Sequence, residues 1–421
     1  MTDHNHTTVS AHNHQIHIRW IKISIINLAI VALLGFIMRC KINFPLPFLD
    51  QKNILHSHSH FAFSGWISQI LMALLIFWLK NKLPETKMHR YNNLLIWNLI
   101  SAYGMLIAFF IQGYSAISIS FSTISIVISY LFSYRYYKDL KGIPAECLSL
   151  PWLKASLFFL ILSSAGAYSL AFMMGIHFIN QDAYLSSLFF FLHFQYNGWF
   201  FFACMGLLLG IIEKLKIKVM YSKTIFQFFL FSCLPAYFLS APWIPAPFNL
   251  TIIYTIAAFL QGLAWLAIVR TLAKNFYTLR TQLTPSGKWL LFFAGIALSL
   301  KLLLQLASAY PPLGKLAFGF RPIIVGYLHL VLLGTITIFI LGYLLNLRIL
   351  KINKWGMKGL YIFVFGIIMN EILLMTQGIF ALNYIAIPWI NEFLLFTAFG
   401  LLVGIVVFLT GFIFEEKLDF L

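Results

Sequence analysis

Hydrophobic positions in this chain do not alternate or recur at heptad spacing; they form long unbroken runs, each closed by a short polar loop. About 20 apolar residues cross a bilayer's hydrocarbon core as a helix, and twelve runs come close to or exceed that length. They lie near residues 20–39, 57–79, 92–112, 115–134, 152–175, 185–212, 224–241, 249–270, 289–310, 322–347, 356–378 and 389–414. A tight turn at Gly113-Tyr114-Ser115 divides the third from the fourth. The pattern predicts an all-α polytopic membrane protein with twelve transmembrane helices. A His-rich tail over 1–19 precedes the membrane domain over 20–414, and a short tail over 415–421 follows it.

Composition supports this reading: 61% of residues are hydrophobic and 10% charged, with a mean hydropathy of +0.87, values that exclude a soluble enzyme. The formal charge of +17 raises nucleic acid as a partner. The basic residues, however, lie in short loops between apolar runs, so nucleic acid is rejected and membrane lipid is the expected surroundings. Loops after runs two, four, six, eight and ten carry 19 Lys and Arg, and the opposite loops only Arg39, Lys41, Lys52, Lys315 and Arg321. The positive-inside bias predicts a multi-pass protein of a bacterial inner membrane with both termini cytoplasmic. The far-side loops are rich in Pro and aromatic residues, as in Pro242-Trp-Ile-Pro-Ala-Pro247. Met1–His17 is polar and the first run lacks a cleavage signal, so no removed leader is expected. Cys40, Cys147, Cys204 and Cys233 form no CxxC pair and predict neither a disulfide framework nor a thiolate metal site.

The chemistry lies in the polar residues that interrupt the runs. Run two opens with His56, His58 and His60; His193 and His329 stand alone in runs six and ten. Ionisable groups in a lipid-spanning helix are costly and mark functional sites by default. From His60 to Lys80 is 20 residues, from His193 to Glu213 is 20, and from His329 to Arg348 is 19. At about 1.5 Å per residue, the three imidazoles share one depth, as a common cofactor or metal requires; unrelated packing histidines are the alternative. Gly65, Gly198 and Gly334 each follow their histidine by five residues, a spacing that lets a flat ring or a neighbouring helix approach the backbone. The recurrence every four runs suggests three quasi-equivalent four-helix arcs. His177, at the end of run five, lies on the same side. The tail histidines His4, His6, His12, His14 and His17 could chelate a metal, although a solvated tail is the simpler expectation. Lys301 and Glu371 are two further buried charges, for which a structural Lys–carboxylate pair competes with a role in proton movement.

With its histidines on runs two, six and ten, the chain resembles subunit I of the haem–copper oxidase superfamily, the cytochrome c oxidase and nitric oxide reductase type. Two segments carry the resemblance. His193-Phe-Gln-Tyr-Asn-Gly-Trp199 is similar to the copper-ligand motif of the nitric oxide reductase branch, and His58-Ser-His-Phe-Ala-Phe-Ser-Gly65 to that branch's His-x-His-Phe-Ala-Phe signature. The resemblance implies a low-spin haem, b-type by preference, held by His60 (or His56 or His58) with His329. Arg321 or Arg39 would meet its propionates. It also implies a metal position at His193, with His177 as an additional donor, and makes His193, Asn197 and Tyr327 catalytic candidates. The family's adjacent pair of copper histidines is missing from run seven, and Tyr327 replaces the usual reactive-haem ligand, so the expected copper site is incomplete. The function so implied is electron transfer or terminal reduction in a respiratory chain, with a second respiratory subunit, cytochrome c or a quinol as partner. A non-enzymatic nitric-oxide-response or copper-handling protein and a transporter are the alternatives.

Overall fold

The protein is described here from a computed structural model, covering residues 3–418 except 81, 83–88, 179 and 349–351. The side chains of 3–17, 89 and 412–418 are not among those described, so those of the tail histidines, and Lys87 and Lys351, lie outside the described residues. The chain is 85% helical, with no strand among the described residues. Among the described residues, eleven helices are long and apolar enough to cross a membrane. The protein is all-α and polytopic.

In chain order the helices are α1 (Asp3–Asn43), α2 (Gln51–Lys80), α3 (His89–Gln112), α4 (Ala116–Leu140), α5 (Leu150–Gly175), α6 (Gln181–Lys214), α7 (Ser222–Cys233), α8 (Phe248–Lys274), α9 (Phe276–Gln282), α10 (Pro285–Ala307), α11 (Pro311–Phe318), α12 (Arg321–Asn346), α13 (Lys354–Leu382) and α14 (Ile390–Leu418). α1 runs back to Asp3 through the His-rich segment, with no proline before Pro45 to stop it. One outcome differs from the sequence expectation. The seventh run is not one helix: α7 ends at Cys233 and a 3-10 turn, Pro235–Ser240, follows. Proline has no N–H to continue an α-helical ladder, which accounts for the break.

The chain divides into two compact units, the first comprising 1–135, 349–370 and 389–421, the second 136–348 and 371–388. Lipid tails are as apolar as leucine, so helices associate through close packing and polar contacts instead of hydrophobic transfer. In the first unit α1 packs on α14, with Phe36 and Phe399 at 5.6 Å between ring centroids, and on α2, while α2 packs on α3. Gly356 and Gly359 of α13 meet Gly411 and Gly404 of α14 so closely that no Cβ would fit. In the second unit Gly166 of α5 lies against the backbone of α6 at Ser187 and Phe191. Trp152, Phe159, Phe202 and Phe229 fill the core there, and α8 and α12 both pack on α10.

Candidate cofactor-binding site

Three helices, α2, α6 and α12, share a device that the hydropathy pattern did not announce. Each changes from α to π winding within two residues of its histidine, over Ala62–Ser68, Phe194–Phe200 and Leu330–Thr337. Such segments are rare, appear mostly as single turns and collect at functional sites. Widening the winding disturbs the i→i−4 ladder, and side chains bond to the carbonyls here. Asn27 of α1 donates to the Gly65 carbonyl at 2.6 Å, and Asn98 of α3 to that of Ser64 at 3.2 Å. On α12, Thr335 and Thr337 donate to the carbonyls of Leu330 and Leu332, five residues back. The only sequence trace of this arrangement was the repeated His-to-Gly spacing. Those glycines do not leave cradles for a flat ring: a Cβ would meet the Phe61 ring at Gly65, the Phe159 side chain at Gly198 and Ala297 at Gly334.

On α2 the three histidines face two ways. His58 turns to α1, its Nδ1 lying 3.1 Å from the Val31 carbonyl and its ring beside Gly35. A carbonyl only accepts, so Nδ1 is the donor in this contact. His60 turns to α3 and stacks on Phe109, ring centroids 4.1 Å apart at 15°, with Nε2 3.3 Å from the Tyr114 hydroxyl. His56 lies on that same face, edge-on to Tyr114 at 4.7 Å; its Nε2 is buried with no hydrogen-bond partner. On α12, His329 repeats the pattern of His58, holding Nδ1 2.8 Å from the carbonyl of Val325 one turn back. Arg321 is exposed at the start of α12, and Arg39 is half-buried near the end of α1.

His193 of α6 is 1% exposed and both ring nitrogens are engaged. Nε2 donates to the Cys233 carbonyl at 2.9 Å. Nδ1 therefore accepts, from the Ser240 hydroxyl at 3.1 Å and the Asn197 amide at 3.1 Å. Tyr196, three residues on along α6, has its ring 6.5 Å from that of Tyr327 on α12. The sequence offered His193 and Asn197 as candidates but gave no sign of Ser240 and Cys233, which the break at Pro235 brings in. His177 is exposed at the end of α5 and makes no hydrogen bond or ring contact with His193. Among the described residues, no three His, Cys, Asp or Glu side chains converge as a metal would require. Lys301 of α10 also departs from expectation: its Nζ donates to Gln305, one turn on, and Gln305 donates to Gln261 of α8 at 2.8 Å. Among the described residues no ion pair joins Lys301 to a carboxylate; the Gln305 amide on its own helix face takes the ammonium.

The fold and this interior define an all-α polytopic membrane protein with imidazoles set at π turns of three helices. The chain matches no protein-family model and no curated protein sequence.

Proposed function

We propose that the chain is a haem-binding membrane protein of the haem–copper oxidase subunit I type. Twelve spans in three four-helix arcs would result if the interrupted segment Ser222–Ser240 counts as the seventh span beside the eleven long helices. By the resemblance, the haem's imidazole ligands would be one of the α2 histidines, here taken as His58, and His329. One observation supports this choice: each has Nδ1 within hydrogen-bond distance of a backbone carbonyl, the kind of outer-shell bond that orients an imidazole toward a metal. This moves the ligand on α2 from His60, which is stacked on Phe109, to His58. A haem held there would supply one-electron redox chemistry at its iron. Arg321 or Arg39 would meet its propionates. Both termini are cytoplasmic in a bacterial inner membrane, and a quinol or cytochrome c is the electron donor.

The three-imidazole copper centre of that family does not fit. Both His193 nitrogens are already spent on Cys233, Ser240 and Asn197, and α7 supplies no imidazole. No reaction step is assigned to that position. The same observation favours a second reading, a non-enzymatic nitric-oxide-response or copper-handling haem protein.

Reduced-minus-oxidised spectra of purified protein test the assignment. Wild type is expected to show a low-spin haem signal that His58→Ala and His329→Ala each abolish and His60→Ala retains. A wild-type preparation without haem, or full haem content in both alanine variants, would refute it. Turnover with oxygen or nitric oxide separates the respiratory reading from the non-enzymatic one.

A further inference from the structure

The second histidine face of α2 has no part in the haem reading and rests on separate contacts. We propose that His56 and His60, with the Tyr114 hydroxyl, bind a divalent transition-metal ion of the imidazole-preferring class, Cu2+ or Zn2+. The two histidines are one helical turn apart on one face, the i, i+4 spacing by which helices present two imidazoles to a single ion. His56 Nε2 is a buried nitrogen with no hydrogen-bond partner, an arrangement that native structures avoid unless something satisfies the atom. His60 Nε2 has only a long contact, 3.3 Å, to Tyr114 Oη. The Tyr114 ring touches both histidines, edge-on, at 4.7 Å and 6.1 Å.

The local fold holds this group together. Tyr114 follows Gly113, whose φ of +64° favours glycine, and any Cβ at Gly113 would strike Asn53 Oδ1 at the start of α2. The turn is thus pressed against the helix that carries the histidines. Phe109 backs the His60 ring. Tyr114 is 39% exposed, which leaves an ion a route in from the surface. Two imidazoles and a phenol oxygen suit Cu2+ or Zn2+ and not the hard cations Mg2+ or Ca2+.

The test is a Cu2+ titration of the full chain in which His4, His6, His12, His14 and His17 are changed to Asn, so that the tail cannot bind the probe. One Cu2+ per chain is expected, with nitrogen hyperfine structure from two imidazoles in its electron paramagnetic resonance spectrum. Loss of an outer-shell partner weakens metal sites about 10–100-fold. His56→Ala or His60→Ala, each losing a ligand, should therefore weaken binding by more than about 100-fold, while Ser59→Ala on the same turn leaves it unchanged. Tyr114→Phe keeps the ring packing and removes the hydroxyl, so it reads the site even where an alanine variant fails to accumulate; a loss of about tenfold is expected. Absence of the site in the tail-substituted parent, binding retained in His56→Ala, or binding unaffected by Tyr114→Phe would overturn the proposal.

Discussion

His58 and His60 are two positions apart, which on an α-helix is about 200° of rotation, and their neighbours differ accordingly: a carbonyl of α1 for one, a phenyl ring of α3 for the other. The sequence shows that His56 and His60 share a face and that His58 does not. It does not show which helix lies on each side, and that decides what each imidazole meets. Glycines pose the same problem. Gly166 and Gly262 look alike in the sequence, yet a Cβ at Gly166 would strike Ser187 O and approach Phe191 N to 2.7 Å, whereas at Gly262 it would meet nothing within 4 Å. Gly166→Ala is expected to destabilise the protein by about 1–3 kcal/mol through overpacking. Gly262→Ala should be neutral or gain up to about 1 kcal/mol from helix propensity. Thermal unfolding in detergent compares the two, and equal midpoints would contradict the close contact of α5 with α6.

At the scale of elements, hydropathy located eleven of the long helices and read through the two kinds of irregularity that matter most. Pro235 was visible inside the seventh run, but thirteen apolar neighbours outweigh one proline in any hydropathy average; its effect appears only as the turn that carries Ser240 to His193. The π segments have no composition of their own, so nothing in the pattern could reveal them. Their support is specific. Asn27 bonds both the Gly65 carbonyl and the Tyr103 hydroxyl, at 2.6 Å and 2.9 Å. Asn27→Ala leaves both without that partner in a buried site, for a cost of about 1–3 kcal/mol. Chemical denaturation would measure it. The cost should shrink in an Asn27→Ala/Tyr103→Phe double variant, which removes one of the stranded groups; strictly additive losses would argue against a shared contact.

For the whole molecule, orientation rests on the bias of 19 basic residues against five and is open to direct labelling. With the four native cysteines changed to Ser, Lys315→Cys is expected to react with an impermeant maleimide in intact cells, and Lys141→Cys only after permeabilisation. The reverse pattern would invert the topology. Lys301 bears on a different event, the passage of the nascent chain from the translocon into lipid. A lysine at the centre of an inserting segment costs about 2.5–3.5 kcal/mol on the insertion scale. In α10 the next turn carries Gln305, which takes the ammonium as a hydrogen bond within the same helix. The segment therefore leaves the translocon with its charge already met. The remaining amide of Gln305 finds Gln261 on α8, a helix synthesised earlier and present in the bilayer when α10 arrives. The order of synthesis thus favours α8 as the first docking partner of α10, and Gln261→Leu should delay or misdirect that docking while α10 still inserts.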